Sequence, residues 1–191
     1  MLGILKQPLQ TAISVLDNSG YRYAVIGGIA VSEWGFARTT LDIDIKVLVK
    51  ELDYQNIRNI LQSHFPHAAR RNTPKEPLIF SVKIDEVIVD FIFSVPGFDE
   101  SIILRAIKRE VDGITTWICS AEDLVVQKMI AGRTKDYLDV QVVLDVQKGK
   151  LDYKYIEDWL SQFAVLQTRQ KYWPIIMPWL PRLINYQAYE G

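Results

Sequence analysis

The chain of 191 residues contains one cysteine, Cys119, and only two histidines. A single thiol excludes an internal disulfide framework and fits a reducing compartment. A small buried residue near a strand end is the plainer role for Cys119. His64 and His67 sit around Pro66, a spacing that suits a surface loop rather than a metal centre. No stretch approaches the ~18 consecutive apolar residues of a membrane span. The N-terminal MLGILKQPLQ has one lysine and no long apolar run, unlike a signal peptide. We therefore expect a soluble, cytoplasmic protein that does not engage a membrane. The formal net charge of -1 gives no general basic footprint for nucleic acid. Two phosphate-binding loops are missing as well. After Gly27 and Gly28, Ile29 and Ser32 stand where the dinucleotide frame G-x-G-x-x-G requires glycine, and no Gly-Lys-Ser/Thr follows. This disfavours a nicotinamide-dependent oxidoreductase.

What is present is an ordinary folded composition, 49% hydrophobic and 24% charged, without repeats or low-complexity linkers. Leu9, Ala12, Ile13 and Leu16 recur at helical spacing over residues 8 to 18, with Pro8 near the start and Gly20 past the end. YRYAVI (21 to 26) reads as a strand, Gly27-Gly28 as a turn, and residues 29 to 34 as a short helix stopped by Gly35. LDIDIKVLV (41 to 49) reads as a partly buried strand, and residues 52 to 63 as an amphipathic helix. IFSVKIDEVIVDFIFS (79 to 94) predicts a hairpin turning at Asp85-Glu86. Residues 100 to 110 read as a helix, ITTWI (114 to 118) as a strand, and two helices follow, one opened by the capping pattern Ser120 to Asp123 and one over 135 to 146. The later tail, with Trp159, Trp173 and Trp179 broken up by prolines, predicts a small helical cap. Strands interleaved with helices in this order indicate an α/β (α+β) domain with a mixed sheet. We expect a domain over 1–147 and a C-terminal helical extension over 148–191.

The informative stretch is VIGGIAVSEWGFARTTLDIDI, residues 25 to 45. Side chains at i and i+2 of a strand share a face, about 7 Å apart at Cα. Asp42 and Asp44 therefore lie together on one side, leaving Leu41, Ile43 and Ile45 for the other. Two such carboxylates repel unless a cation stands between them. Hard oxygen ligands on one strand suit Mg²⁺. Asp90, inside VIVDFIF (87 to 93), is a third acid in a very apolar strand, where it needs a partner. A strand that ends in Gly-Gly before a helix lets backbone N–H groups approach an anion.

Ile26-Gly27-Gly28, then Asp42-Ile43-Asp44, then Val89-Asp90-Phe91 together resemble the signature of the nucleotidyltransferase superfamily related to DNA polymerase beta. Arg38-Thr39-Thr40 before the acids matches the Arg-x-Thr-x-Asp wording of bacterial members. AEDLVVQKMIAGRTKDYLDV (121 to 140) resembles the helix pair of AbiEii-like toxin nucleotidyltransferases and of some aminoglycoside nucleotidyltransferases. The resemblance implies that Asp42, Asp44 and Asp90 are catalytic and hold two Mg²⁺ ions, with an NTP as substrate. It implies nucleotide contacts from Gly27, Gly28 and Arg38. Many members carry serine directly after the glycine; here Ile29 follows, and Ser32 or backbone groups take that place. Lys128 is a candidate triphosphate contact, with an ion pair to Asp136 or Asp139 as its other reading. The acceptor implied is a hydroxyl on RNA, a protein or a small molecule. The toxin relatives imply an antitoxin partner. The alternative is an inactive protein of the same fold that binds a nucleotide or a partner.

Overall fold

The computed structural model describes residues 2–67 and 77–167. The described chain forms two compact units, one built from Met1–Glu33 with Ala37–Ser120 and the other from Trp34–Phe36 with the chain from Ala121 onward.

Among the described residues the first unit holds a six-stranded mixed sheet and four α-helices. In chain order these are α1 (Lys6–Asn18), β1 (Tyr23–Val25), α2 (Gly27–Trp34), β2 (Asp42–Val47), α3 (Tyr54–His64), β3 (Ile79–Ile84), β4 (Val87–Phe93), α4 (Phe98–Leu104), β5 (Ile107–Val111) and β6 (Ile114–Ile118). The strand order is β3-β4-β2-β1-β6-β5. β2 runs parallel to β4, and β1 parallel to β6, while the other pairs are antiparallel.

Alternation decides which side of this sheet is core. In β4, Val87, Val89, Phe91 and Phe93 are buried, whereas Ile88, Asp90 and Ile92 are half-buried. The registers place Ile43, Ile45 and Val47 of β2 with the buried set. Helix α3 covers that face: the Tyr54 ring stacks on Phe93 with centroids 6.1 Å apart, and Phe65 lies 6.0 Å from Phe91. The other face meets α4, whose Asp99 accepts a hydrogen bond of 2.5 Å from Lys46 Nζ. Fully burying one such aliphatic or aromatic side chain is worth about 1.5–3 kcal/mol, so strand alternation fixes which way the acids point.

Most expected elements form close to their expected bounds. The hairpin turns at Asp85-Glu86, both with positive φ (46° and 68°), the left-handed pair a two-residue turn between twisted strands requires. Two expectations are corrected. Gly27 and Gly28 are not a separate turn but the first residues of α2. Residues 100 to 110 are not one helix: it ends at Leu104, and Ile107–Val111 is a strand paired to β6. The deciding signal is Asp112-Gly113, with φ of 50° and 80°, a second hairpin turn whose strands pair around it.

The second unit contains α5 (Ala121–Ala131), α6 (Thr134–Val146) and α7 (Tyr153–Gln167), with α5 packed on both others. Trp159 lies on α7, its ring edge-on to Tyr155. Trp173 and Trp179 lie outside the described residues. No helix among the described residues is long and apolar enough to cross a membrane.

Candidate active site

Two neighbouring parallel strands bring the acids together. Asp44 on β2 stands directly opposite Asp90 on β4, and Asp42 stands opposite Ile88. The even-numbered residues of β2 share the face that carries Asp90, so all three acids lie on one side of the sheet. Asp42 is exposed, and Asp44 and Asp90 are half-buried. Beneath them the sheet is dry, with Ile43, Ile45, Val89 and Phe91 all at 0% exposure.

Each acid is held by a different device. Thr40 Oγ1 donates to Asp42 Oδ1 at 2.8 Å. Ser81 Oγ donates to Asp90 Oδ1. Asp44 rests on the glycine corner: a Cβ placed on Gly27 would lie 2.0 Å from Asp44 Oδ2. Gly27 also has φ +64°, a conformation that costs other L-residues about 1–2 kcal/mol. Only glycine lets the carboxylate lie against the start of α2. The neighbouring backbone is tied in as well, since Ile26 N donates to Asp44 O at 2.9 Å. Gly28 has the same requirement for a different reason. A Cβ there would meet Thr40 Oγ1 at 2.4 Å, so the second glycine makes room for the threonine that holds Asp42.

Ser32 lies one turn along α2. Its hydroxyl donates to Gly28 O at 3.1 Å and accepts from Arg38 N at 3.4 Å, which fastens the loop carrying Arg38 to the helix. Arg38 Nη1 reaches Thr39 O at 3.4 Å, and Glu33 pairs with Arg109 at 3.5 Å. A cavity of about 410 Å³ opens beside this loop, lined in part by Leu2, Leu5, Ile29, Ser32, Arg38 and Thr40.

Lys128 belongs to the second unit, on α5. It is 6% exposed, and its ammonium donates to Asp136 Oδ1 at 3.0 Å and Asp139 Oδ2 at 2.8 Å. Arg133 Nε adds a bond of 2.6 Å to Asp136 Oδ2. Burial pushes the Asp136 carboxyl up, but the hydrogen bonds and charges of Arg133 and Lys128 outweigh it and hold the group below its ordinary value. Both ion pairs considered for Lys128 therefore form at once. His64 and His67 are exposed, and Cys119 is a buried thiol outside any disulfide, just past β6.

Whether a cation fits follows from the donor set. Among the described residues no three acidic, histidine or cysteine side chains are drawn together into a ready metal centre. Asp44 and Asp90 are nevertheless facing carboxylates on adjacent strands, and Asp42 follows one pleat along on the same face. All are hard oxygen donors, the kind a divalent cation such as Mg²⁺ takes. The cradle that only Gly27 leaves open keeps Asp44 among them. The residues fit such an ion.

Sequence reasoning missed Thr40 and Ser81 as partners of the acids. Ser81 had a readable signal: a two-residue turn at Asp85-Glu86 sets residue 81 opposite residue 90.

A sheet in this order, with paired acids beside a glycine corner, defines a nucleotidyltransferase fold, and solved structures agree. The chain resembles the solution structure of the antibiotic-resistance factor ANT(2'')-Ia, with a TM-score of 0.61 and 12% identity over 88% of this chain and 98% of that one. ANT(2'')-Ia in complex with adenylyl-2''-tobramycin gives a TM-score of 0.59 and 12% identity, covering 88% and 100% of the two chains. An antigenic nucleotidyltransferase-like protein from Paracoccidioides brasiliensis gives 0.56 and 15%, covering 85% and 88%. No curated protein matches by sequence. Over residues 5–179 the chain matches the family described as nucleotidyltransferase of unknown function (DUF6036), and it belongs to that family.

Proposed function

We propose that the protein moves a nucleoside monophosphate from an NTP to a hydroxyl acceptor. The observation that carries this reading is the direct opposition of Asp44 and Asp90 on parallel strands, with Asp42 on the same face and the Gly27 corner beneath. The acceptor oxygen attacks the α-phosphorus, the bond to the β-phosphate oxygen breaks, and pyrophosphate leaves. Asp90 takes the acceptor proton. The backbone N–H groups at the start of α2 face the phosphates, helped by the positive end of the helix dipole. Ser32 and Arg38 shape the loop beside them. Mg²⁺ held by Asp42, Asp44 and Asp90 would supply charge neutralisation, the main requirement of phosphoryl transfer. With little covalent work to do, the protein contributes position.

The acceptor class is a hydroxyl on a small molecule, an RNA or a protein. The similar ANT(2'')-Ia structure holds an adenylylated tobramycin, which supports testing small molecules first. The likeness of 121 to 140 to the toxin relatives supports testing for an antitoxin partner as well.

The test is incubation with each α-labelled NTP and Mg²⁺ in the presence of aminoglycosides, total RNA or cell protein, for the wild type and Asp42→Ala. Label transfer by the wild type, lost in the variant, is the expected result. NTP binding with no transfer to any acceptor class would overturn it in favour of an inactive nucleotide-binding protein.

A further inference from the structure

We infer that Ser81 is a positioning residue for Asp90, fixing which carboxylate oxygen is offered to the cation. The inference rests on the proposed role of Asp90. Ser81, Asp90 and Asp44 occupy one row across β3, β4 and β2, each opposite the next. Ser81 is 0% exposed, while Ile79 and Lys83, which share its face of β3, are not buried. It interrupts a run whose neighbours Phe80 and Val82 are core residues.

A hydroxyl in such a place is costly unless it is hydrogen-bonded. Its partner here is a carboxylate, which makes the bond charge-assisted and stronger than a neutral one. Stability alone does not call for serine: alanine or valine would suit a buried strand position at least as well. The hydroxyl instead serves the acid. By donating to Oδ1 it restrains the carboxylate rotamer, occupies that oxygen and leaves Oδ2 for a ligand. Groups that hold metal ligands in this way typically change metal affinity by about 10–100-fold when removed.

The test is Mn²⁺ binding, read by the loss of the free-ion electron paramagnetic resonance signal beyond that of a protein-free control, with each non-hydrolysable NTP analogue present. Wild type, Asp90→Ala, Ser81→Ala, Ser81→Cys and Ser81→Thr are compared, with thermal unfolding of each alongside. Asp90→Ala should abolish binding. Ser81→Ala and Ser81→Cys, which lose the strong donor, should weaken it by about 10–100-fold. Ser81→Thr, which keeps the hydroxyl, should recover most of it. If Asp90→Ala abolishes binding but Ser81→Ala and Ser81→Cys bind as the wild type does, Ser81 only packs the strand and the inference fails while the site stands. If the wild type takes up no Mn²⁺, or Asp90→Ala leaves uptake unchanged, the proposed function itself fails and the inference goes with it.

Discussion

Asp44 and Asp90 face each other at the same register position of the parallel β2–β4 pair. Two like charges placed opposite on adjacent strands destabilise a sheet. The arrangement therefore works against folding unless a cation joins it, which separates activity from stability in a measurable way. Asp90→Asn keeps an amide oxygen to accept from Ser81 but removes one of the facing charges. We expect metal-free Asp90→Asn to be no less stable than the wild type, and label transfer to fall by about 10²-fold or more. Urea unfolding without metal, beside the transfer assay, checks both. A variant that is strongly destabilised, or that turns over normally, contradicts this account.

Gly27 is the position with least freedom. In Gly27→Ala the new methyl would lie 2.0 Å from Asp44 Oδ2, and the backbone would be held at φ +64°. The conformational part alone is about 1–2 kcal/mol, and the collision displaces the carboxylate. We expect a lower thermal midpoint together with loss of label transfer. Gly28→Ala should reach the acids by another route, pushing Thr40 away from Asp42. A Gly27→Ala protein with an unchanged midpoint and full turnover would show that the corner is not what seats Asp44.

Much of this site was legible because its parts are local. Strand alternation puts Asp42 and Asp44 on one face whatever the rest of the chain does, and the Asp85-Glu86 turn brings VIVDFIF back beside IFSVKI. The opposition of Asp44 and Asp90 was not legible, because the β2–β4 pairing joins strands separated by α3 and β3, and nothing local sets its register. Residues 100 to 110 read as one helix, but the Asp112-Gly113 turn makes Ile107–Val111 a strand paired to β6. For Lys128 the sequence offered a phosphate or either of two acids. The choice depends on how α5 and α6 pack, which helical spacing within one element does not determine.

Lys128 therefore carries a prediction of its own. Asp136 is fully buried and Asp139 nearly so, and both accept from this ammonium, Asp136 also from Arg133. Removing one member of a buried ionic group leaves uncompensated charge, at a cost of about 3–5 kcal/mol. Lys128→Met preserves most of the volume and none of the charge, so it should lower the urea midpoint sharply. Nucleotide binding measured under native conditions separates the two readings. A Lys128→Met protein as stable as the wild type but unable to bind NTP would mean that the ammonium serves the triphosphate instead.

The alkaline limit of stability should be set in part by Tyr23 on β1. It is 2% exposed, and burial pushes its phenol up to about 12, with the nearby Asp17 charge adding to the rise and a hydrogen bond with Thr116 opposing it. In the unfolded chain a tyrosine ionises near 10. The folded state thus favours the neutral phenol. The contribution is fully present below about pH 10 and is lost as pH rises through the folded value, and a two-unit difference corresponds to about 3 kcal/mol. We expect the unfolding midpoint to fall steeply between about pH 10 and 12. Tyr23→Phe, which keeps the ring and loses the ionisable group, should flatten that fall. Tyrosinate absorbance during an alkaline titration provides a second check: the Tyr23 signal should appear late and together with unfolding. A wild-type midpoint that falls no faster than that of Tyr23→Phe over this range would show that burial of the phenol does not limit alkaline stability.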